Sequence, residues 1–158
     1  MTDLEARAWI DAARDPEVSA SLEAIYCMIA DQVEARGPAC WASGRCCNFK
    51  KTGHLLYVTG LEAAWTVSRS RSPSVDEIAE AHALGGCPFQ DRNLCGVHPH
   101  RPLGCRVYFC DRSAQRWQHA LTERTLDALR RLHERRSLPY AYGEWRSLLE
   151  RISAVWAS

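Results

Sequence analysis

Hydrophobic positions recur at three- and four-residue intervals over most of this 158-residue chain and lose that rhythm in its middle. Leu4, Ala8 and Ala12 repeat at helical spacing up to Asp15-Pro16. Proline suits a first helical turn because the N–H it lacks would have no partner there, so a second helix is expected to start at that point. Its apolar stripe is Val18, Leu22, Ile25, Tyr26, Ile29 and Val33, and Gly37-Pro38 stops it. The run from His54 to Thr59, bounded by Gly53 and Gly60, reads as an extended segment or a lone short strand. Helical spacing returns from Leu61 to Ser68, breaks in a Ser-rich loop at Ser70–Ser74, and resumes from Val75 to Ala83 until Gly85-Gly86. From Cys87 to Cys110 the chain is rich in Pro, Gly, Asn and Asp, and irregular backbone is expected. Trp117, Leu121, Leu129 and Leu132 then mark a long amphipathic helix over about 113–136, stopped by Leu138-Pro139. Trp145, Leu148, Leu149, Ile152 and Val155 mark a last one.

These elements predict a mainly α protein: a compact helical domain with an irregular cysteine-rich metal-binding region and at most one short strand pair. The length suits a single domain over 1–158, with a helical part at 1–36, a cysteine region at 37–112 and C-terminal helices at 113–158. Nearly balanced acids and bases leave a formal net charge of +1, which removes a whole-protein electrostatic argument for nucleic acid or membrane partners. The arginines at 124, 130, 131, 135 and 136 fall mostly opposite the apolar stripe and read as a solvated helix face. The opening Met1–Arg7 is polar and acidic, unlike a secretory leader, and charges interrupt every apolar run before it could span a bilayer. A cytoplasmic location is expected.

Cysteine changes this picture more than charge does. Seven of the eight cysteines lie between Cys40 and Cys110, as Cys40, Cys46-Cys47, Cys87, Cys95, Cys105 and Cys110. In a reducing compartment, thiols gathered from separate loops are better explained by a metal than by disulfides. Thiolates are soft anionic ligands suited to zinc or to an iron–sulfur cluster. The eighth, Cys27, sits within the second helix's apolar stripe and reads as a small buried hydrophobe. Neighbouring side chains in extended backbone point in opposite directions, so Cys46 and Cys47 need not face one metal.

Taken together, Cys40-Trp41-Ala42-Ser43-Gly44-Arg45-Cys46-Cys47, Cys87-Pro88-Phe89, and the run from Cys95 through Arg101-Pro102-Leu103-Gly104 to Cys105-Arg106 resemble the YkgJ-like CxxCxxCC family of zinc- or iron-chelating cysteine-cluster proteins. The resemblance covers about two-thirds of the chain and implies metal chelation. The chain departs from the pattern at Ser43, where a second cysteine is usual, and at His98, where tyrosine is usual. Cys110 could supply the missing thiol, and His98 is either a nitrogen ligand or a solvated loop residue. Related cysteine regions occur in flagellin lysine N-methylases. No glycine-rich strand-to-helix turn is present, so methyl transfer is not carried over.

The chain has no Cys-x-x-Cys, whereas zinc knuckles use close pairs. Its wide and uneven spacings point to an iron–sulfur centre of the [4Fe–4S] type, with zinc or non-haem iron as alternatives. Cys47, Cys87, Cys95 and Cys105 are the first candidate ligands, followed by Cys46, Cys40 and Cys110. Arg101 and Arg106 are candidates to touch the bound group, because a guanidinium offsets thiolate charge and can donate to sulfur; ordinary surface ion pairing is the alternative. Three classes fit: a redox or metal-handling cluster protein, an iron enzyme with an open coordination position, and a zinc-stapled interaction domain. No reaction or partner follows from the sequence. The aromatic segment Pro139–Trp145 either lines the site or packs between helices.

Overall fold

The computed structural model describes residues 1–38 and 44–156, so Cys40 and Ser43 lie outside the described residues. The fold is mainly helical, with short strands. Helix α1 (Asp3–Arg14) opens with a capping box in which Thr2 and Glu5 satisfy each other's backbone N–H groups. Its buried face is Ala6, Trp9, Ile10 and Ala13, while Leu4 is 78% exposed. In an alanine-rich helix several apolar repeats compete, and the large Trp9 ring decides which turns inward. Helix α2 (Pro16–Arg36) starts at the expected proline, capped by the Asp15 carboxylate, and ends where Gly37, at φ 62°, returns its N–H to the Val33 carbonyl. Cys27 is exposed rather than buried, because the inward side of α2 is carried by Val18, Leu22, Tyr26 and Ile29.

A one-turn helix, α3 (Phe49–Thr52), leads to strand β1 (Tyr57–Thr59) and helix α4 (Gly60–Arg69). Gly60 is where α1 crosses α4. A Cβ there would come within 2.4 to 2.5 Å of the Trp9 ring, so only glycine admits this approach. Helix α5 (Val75–Leu84) precedes the hairpin β2 (Gln90–Asp91) and β3 (Leu94–Cys95), and a five-residue helix, α6 (Leu103–Val107), follows. Helix α7 (Gln115–Arg135), strand β4 (Tyr142–Glu144) and helix α8 (Trp145–Trp156) complete the chain.

Two antiparallel strand pairs form among the described residues, where at most one was expected. β1 is not a lone strand: it pairs with β4, Val58 opposite Gly143. The second pair exists because the turn between Cys87 and Cys95 closes its own backbone hydrogen bonds, Gln90 opposite Cys95. The core is built by α1, α4 and α8 packing together, with α7 against α2 and α5 against α8. Trp9, Leu61, Leu129, Trp145, Leu149 and Ile152 are almost wholly buried in it. At about 25 cal/mol per Å² of apolar surface, each large side chain buried this way contributes about 1.5–3 kcal/mol. No helix among the described residues is long and apolar enough to cross a membrane.

Candidate metal centre

Cys46 and Cys47 lie on a 3-10 turn, Arg45–Cys47, and not on extended backbone. Tight winding puts neighbouring side chains on adjacent sides rather than opposite ones, and so both thiols belong to one cluster. The turn is tied down on two sides. Gly44 adopts φ 69° and its carbonyl accepts the Gln90 side-chain amide at 3.1 Å; a Cβ here would sit 2.8 Å from that amide nitrogen. On the other side Asn48 bridges to Gly86, and Lys50 N–H donates to the Gly85 carbonyl at 3.0 Å. These main-chain contacts bring Cys47 beside Cys87, which follows Gly86. Cys95 returns from the β2–β3 hairpin, whose Gly96 N–H donates to the Phe89 carbonyl at 2.9 Å.

The thiols meet at Cys47. It interacts directly with the thiols of Cys46, Cys87 and Cys95, and these three contacts are the largest influences holding its own proton on. The same contacts pull the others down. Cys46 and Cys95 each fall to about 6, first through the Cys47 thiol, with the Arg101 charge adding to the effect on both. Cys87 is lowered by the Cys47 thiol first, against the cost of burial, with help from the Phe89 N–H and the Trp145 indole. That indole Nε1 donates to Cys87 Sγ at 3.4 Å. Near neutral pH, therefore, Cys46 and Cys95 are largely anionic beside the Cys47 S–H, and Cys87 is biased in the same direction.

Cys105, on α6, is electrostatically coupled to Cys46, Cys87 and Cys95, but burial raises its pKa well above the ordinary thiol value and keeps it protonated. Cys110 is half-buried and, together with Cys46, raises the pKa of Tyr108 after burial has done so; this sets it at the rim. His98 is exposed in the 3-10 turn His98–His100, its pKa lowered chiefly by partial desolvation. Neither Arg101 nor Arg106 forms an ion pair among the described residues. Cys40 falls outside the described residues.

Cys105 is placed by a buried carboxylate that sequence reading missed. Glu62 of α4 is fully buried, accepts the Leu103 N–H at the start of α6 at 2.7 Å, and accepts the Tyr26 hydroxyl at 3.0 Å. Its only local signal is the spacing of Thr59 and Glu62, which forms a capping box. Trp145 likewise belongs to the site, as the donor to Cys87, through its place directly after β4. Tyr140 instead packs on His133, with ring centroids 5.2 Å apart.

A cleft of about 830 Å³ opens beside Cys87, between α5 and the β2–β3 hairpin, with Phe89 on its wall and Arg71, Glu77 and Glu80 at its edge. Among the described residues, no group of three or more His, Cys, Asp or Glu side chains is arranged so that it could hold an ion as it stands. The donor chemistry nonetheless fits a soft metal, because the converging atoms are sulfurs, three of them readily deprotonated, with N–H groups pointed at them. A metal would draw these sulfurs from one another to its own bonding distance, about 2.3 Å for zinc.

A helical frame that gathers thiols from separate turns around one soft-ligand centre defines a cysteine-cluster metal-binding protein. The sequence profile of the family described as "CxxCxxCC: Putative zinc- or iron-chelating domain" matches residues 39–126, and the chain belongs to that family. No curated protein and no solved structure matches the chain.

Proposed function

We propose that the chain acts as one cytoplasmic cysteine-cluster domain over 1–158, whose resident group is an iron–sulfur centre with a redox, metal-handling or catalytic role. The observation that carries this reading is sulfur convergence: Cys46, Cys47, Cys87, Cys95 and Cys105 come from four separate segments to one place. A single zinc ion and a four-iron cluster both take four protein thiolates, but zinc knuckles take them as close pairs, whereas irregular wraps of thiolates suit iron–sulfur centres. Direct thiol interaction favours Cys46, Cys87 and Cys95 as ligands with Cys47, whereas Cys105 feels these sulfurs only through their charge and stands behind them. An iron–sulfur centre would supply one-electron transfer. Around it, Trp145 Nε1 and the backbone N–H groups of Phe89 and Val97 hydrogen-bond to sulfur and withdraw negative charge.

A single zinc ion in a structural site is the second reading, favoured by one feature. Cys47 interacts with three other thiols at once, which suits four sulfurs gathered around one small ion. The sulfurs on a four-iron cluster are held further apart by its inorganic core. Anaerobic purification followed by assay of iron, zinc and acid-labile sulfide tests both. Iron with matching sulfide and visible absorption is expected; zinc alone replaces the first reading with the second, and iron without sulfide makes the cleft beside Cys87 the approach to an open-site iron.

A further inference from the structure

Two arginines accompany the cluster, and the protein uses them differently. Arg106 is engaged by the polypeptide: Nε donates to the Arg101 carbonyl at 2.6 Å, Nη2 donates to the Pro99 carbonyl at 3.0 Å, and the guanidinium lies 3.9 Å from the centre of the Tyr26 ring. It holds the loop from Pro99 to Arg106 in shape.

Arg101 is the opposite case. Its Nε is buried and has no hydrogen-bond partner among the described residues. A buried charged donor left unpaired costs more than a net hydrogen bond contributes, so such atoms are rare and call for an explanation. No carboxylate among the described residues forms an ion pair with it. What its charge does reach is sulfur: Cys46, Cys95 and Cys105 all feel it.

We propose that the Arg101 Nε–H is reserved for the metal centre, where it hydrogen-bonds to a metal-bound sulfur of Cys46 or Cys95 and helps retain the metal, while Arg106 only shapes the loop. Arg101 is thus a positioning residue. The inference rests on the reading that these thiols hold a metal, but not on which metal. Pairing that arises only with metal present explains why the donor has no partner among the described residues, and it separates two readouts. Removing Arg101 takes away no hydrogen bond of the metal-free protein through Nε, yet weakens the loaded one.

The test uses the full chain stripped of metal under reducing conditions and titrated with cobalt(II) as a spectroscopic probe of thiolate ligation. Supporting groups around metal ligands typically contribute about 10–100-fold in affinity, so Arg101→Gln should weaken cobalt binding by at least about tenfold. The metal-free variant should lose much less stability to urea, relative to metal-free wild type, than the metal-loaded variant loses relative to loaded wild type. Arg101→Lys, which keeps charge but lacks the Nε–H, should stay close to Arg101→Gln. Arg106→Gln should lower the stability of the metal-free protein. Wild-type affinity in Arg101→Gln overturns the proposal, as does full recovery by Arg101→Lys or equal destabilisation with and without metal. Wild type that binds no cobalt overturns the metal-centre reading itself; wild type that binds cobalt but purifies with zinc overturns only the iron assignment.

Discussion

Glu62→Gln tests the buried carboxylate that ties α4 to α6. Oε1 accepts from the Tyr26 hydroxyl at 3.0 Å and from Leu103 N–H at 2.7 Å; Oε2 accepts from Thr59 N–H at 3.0 Å and from the Thr59 hydroxyl at 2.9 Å. The two hydroxyls can rotate and accept instead of donating, but the two main-chain N–H groups cannot. Glutamine has one acceptor oxygen. Whichever way its amide is turned, either Leu103 or Thr59 N–H faces an NH2 group. An orphaned buried donor costs about 1–3 kcal/mol, and a hydrogen bond to a charged acceptor contributes about 1.5–3 kcal/mol. Relief from burying a charge offsets part of the sum, which leaves an expected loss of about 2–3 kcal/mol. For a chain of this length each kcal/mol moves the melting temperature by about 2–4 °C, so a fall of roughly 5–10 °C is expected. Urea unfolding of the metal-free protein with an unchanged m-value measures the free energy, and calorimetry the temperature. Tyr26→Phe, which removes one donor and leaves the carboxylate three, should cost about 1 kcal/mol. A Glu62→Gln loss below about 0.5 kcal/mol, the range of ordinary surface substitutions, would refute the reasoning, and so would a larger loss in Tyr26→Phe.

Gly60→Ala would drive a methyl to within 2.4 to 2.5 Å of the Trp9 ring, and since that ring is fully buried, an overpacking loss of about 1–3 kcal/mol is expected in thermal unfolding. Cys47→Ser removes the thiol that the other three share and should abolish metal uptake by elemental analysis, whereas Cys27→Ser, on the exposed side of α2, should leave it intact. Burial lowers the pKa of His133: Nδ1 lies 3.0 Å from the Pro139 carbonyl and Nε2 is buried without a partner among the described residues, so charging the ring would strand a second N–H. The unfolded chain binds that proton below about pH 6.5 and the folded one does not, so stability should decline as pH falls through 6.5. His54, His98 and His100, lowered chiefly by desolvation, act in the same direction. His133→Gln should flatten part of the slope in urea titrations between pH 7 and 5; an unchanged slope would show that the ring accommodates its charge.

Local periodicity made most of the helices legible, because a helix announces its buried side within a few turns. It failed where two faces were equally apolar, as in α1, and where one bulky ring rather than a repeat decides what turns inward. Pairing of β1 with β4 was invisible because each partner is three residues long and its match lies far along the chain. The same logic governs the metal centre. Which residues carry sulfur is plain from the sequence, but what gathers them is largely main chain: the Gly44 carbonyl on Gln90, Asn48 against Gly86, Lys50 N–H on the Gly85 carbonyl. Backbone atoms leave no side-chain signature beyond glycine itself. Gly44 and Gly85 both take positive φ, and at both a Cβ would collide with the facing segment, with Gln90 at 2.8 Å and with Lys50 at 2.5 Å. These glycines are therefore as much a part of the site as the cysteines. They let two irregular segments approach closely enough for Cys47 to reach Cys87 and Cys95, and a thiol set assembled this way depends on loop contacts that a bound metal would reinforce.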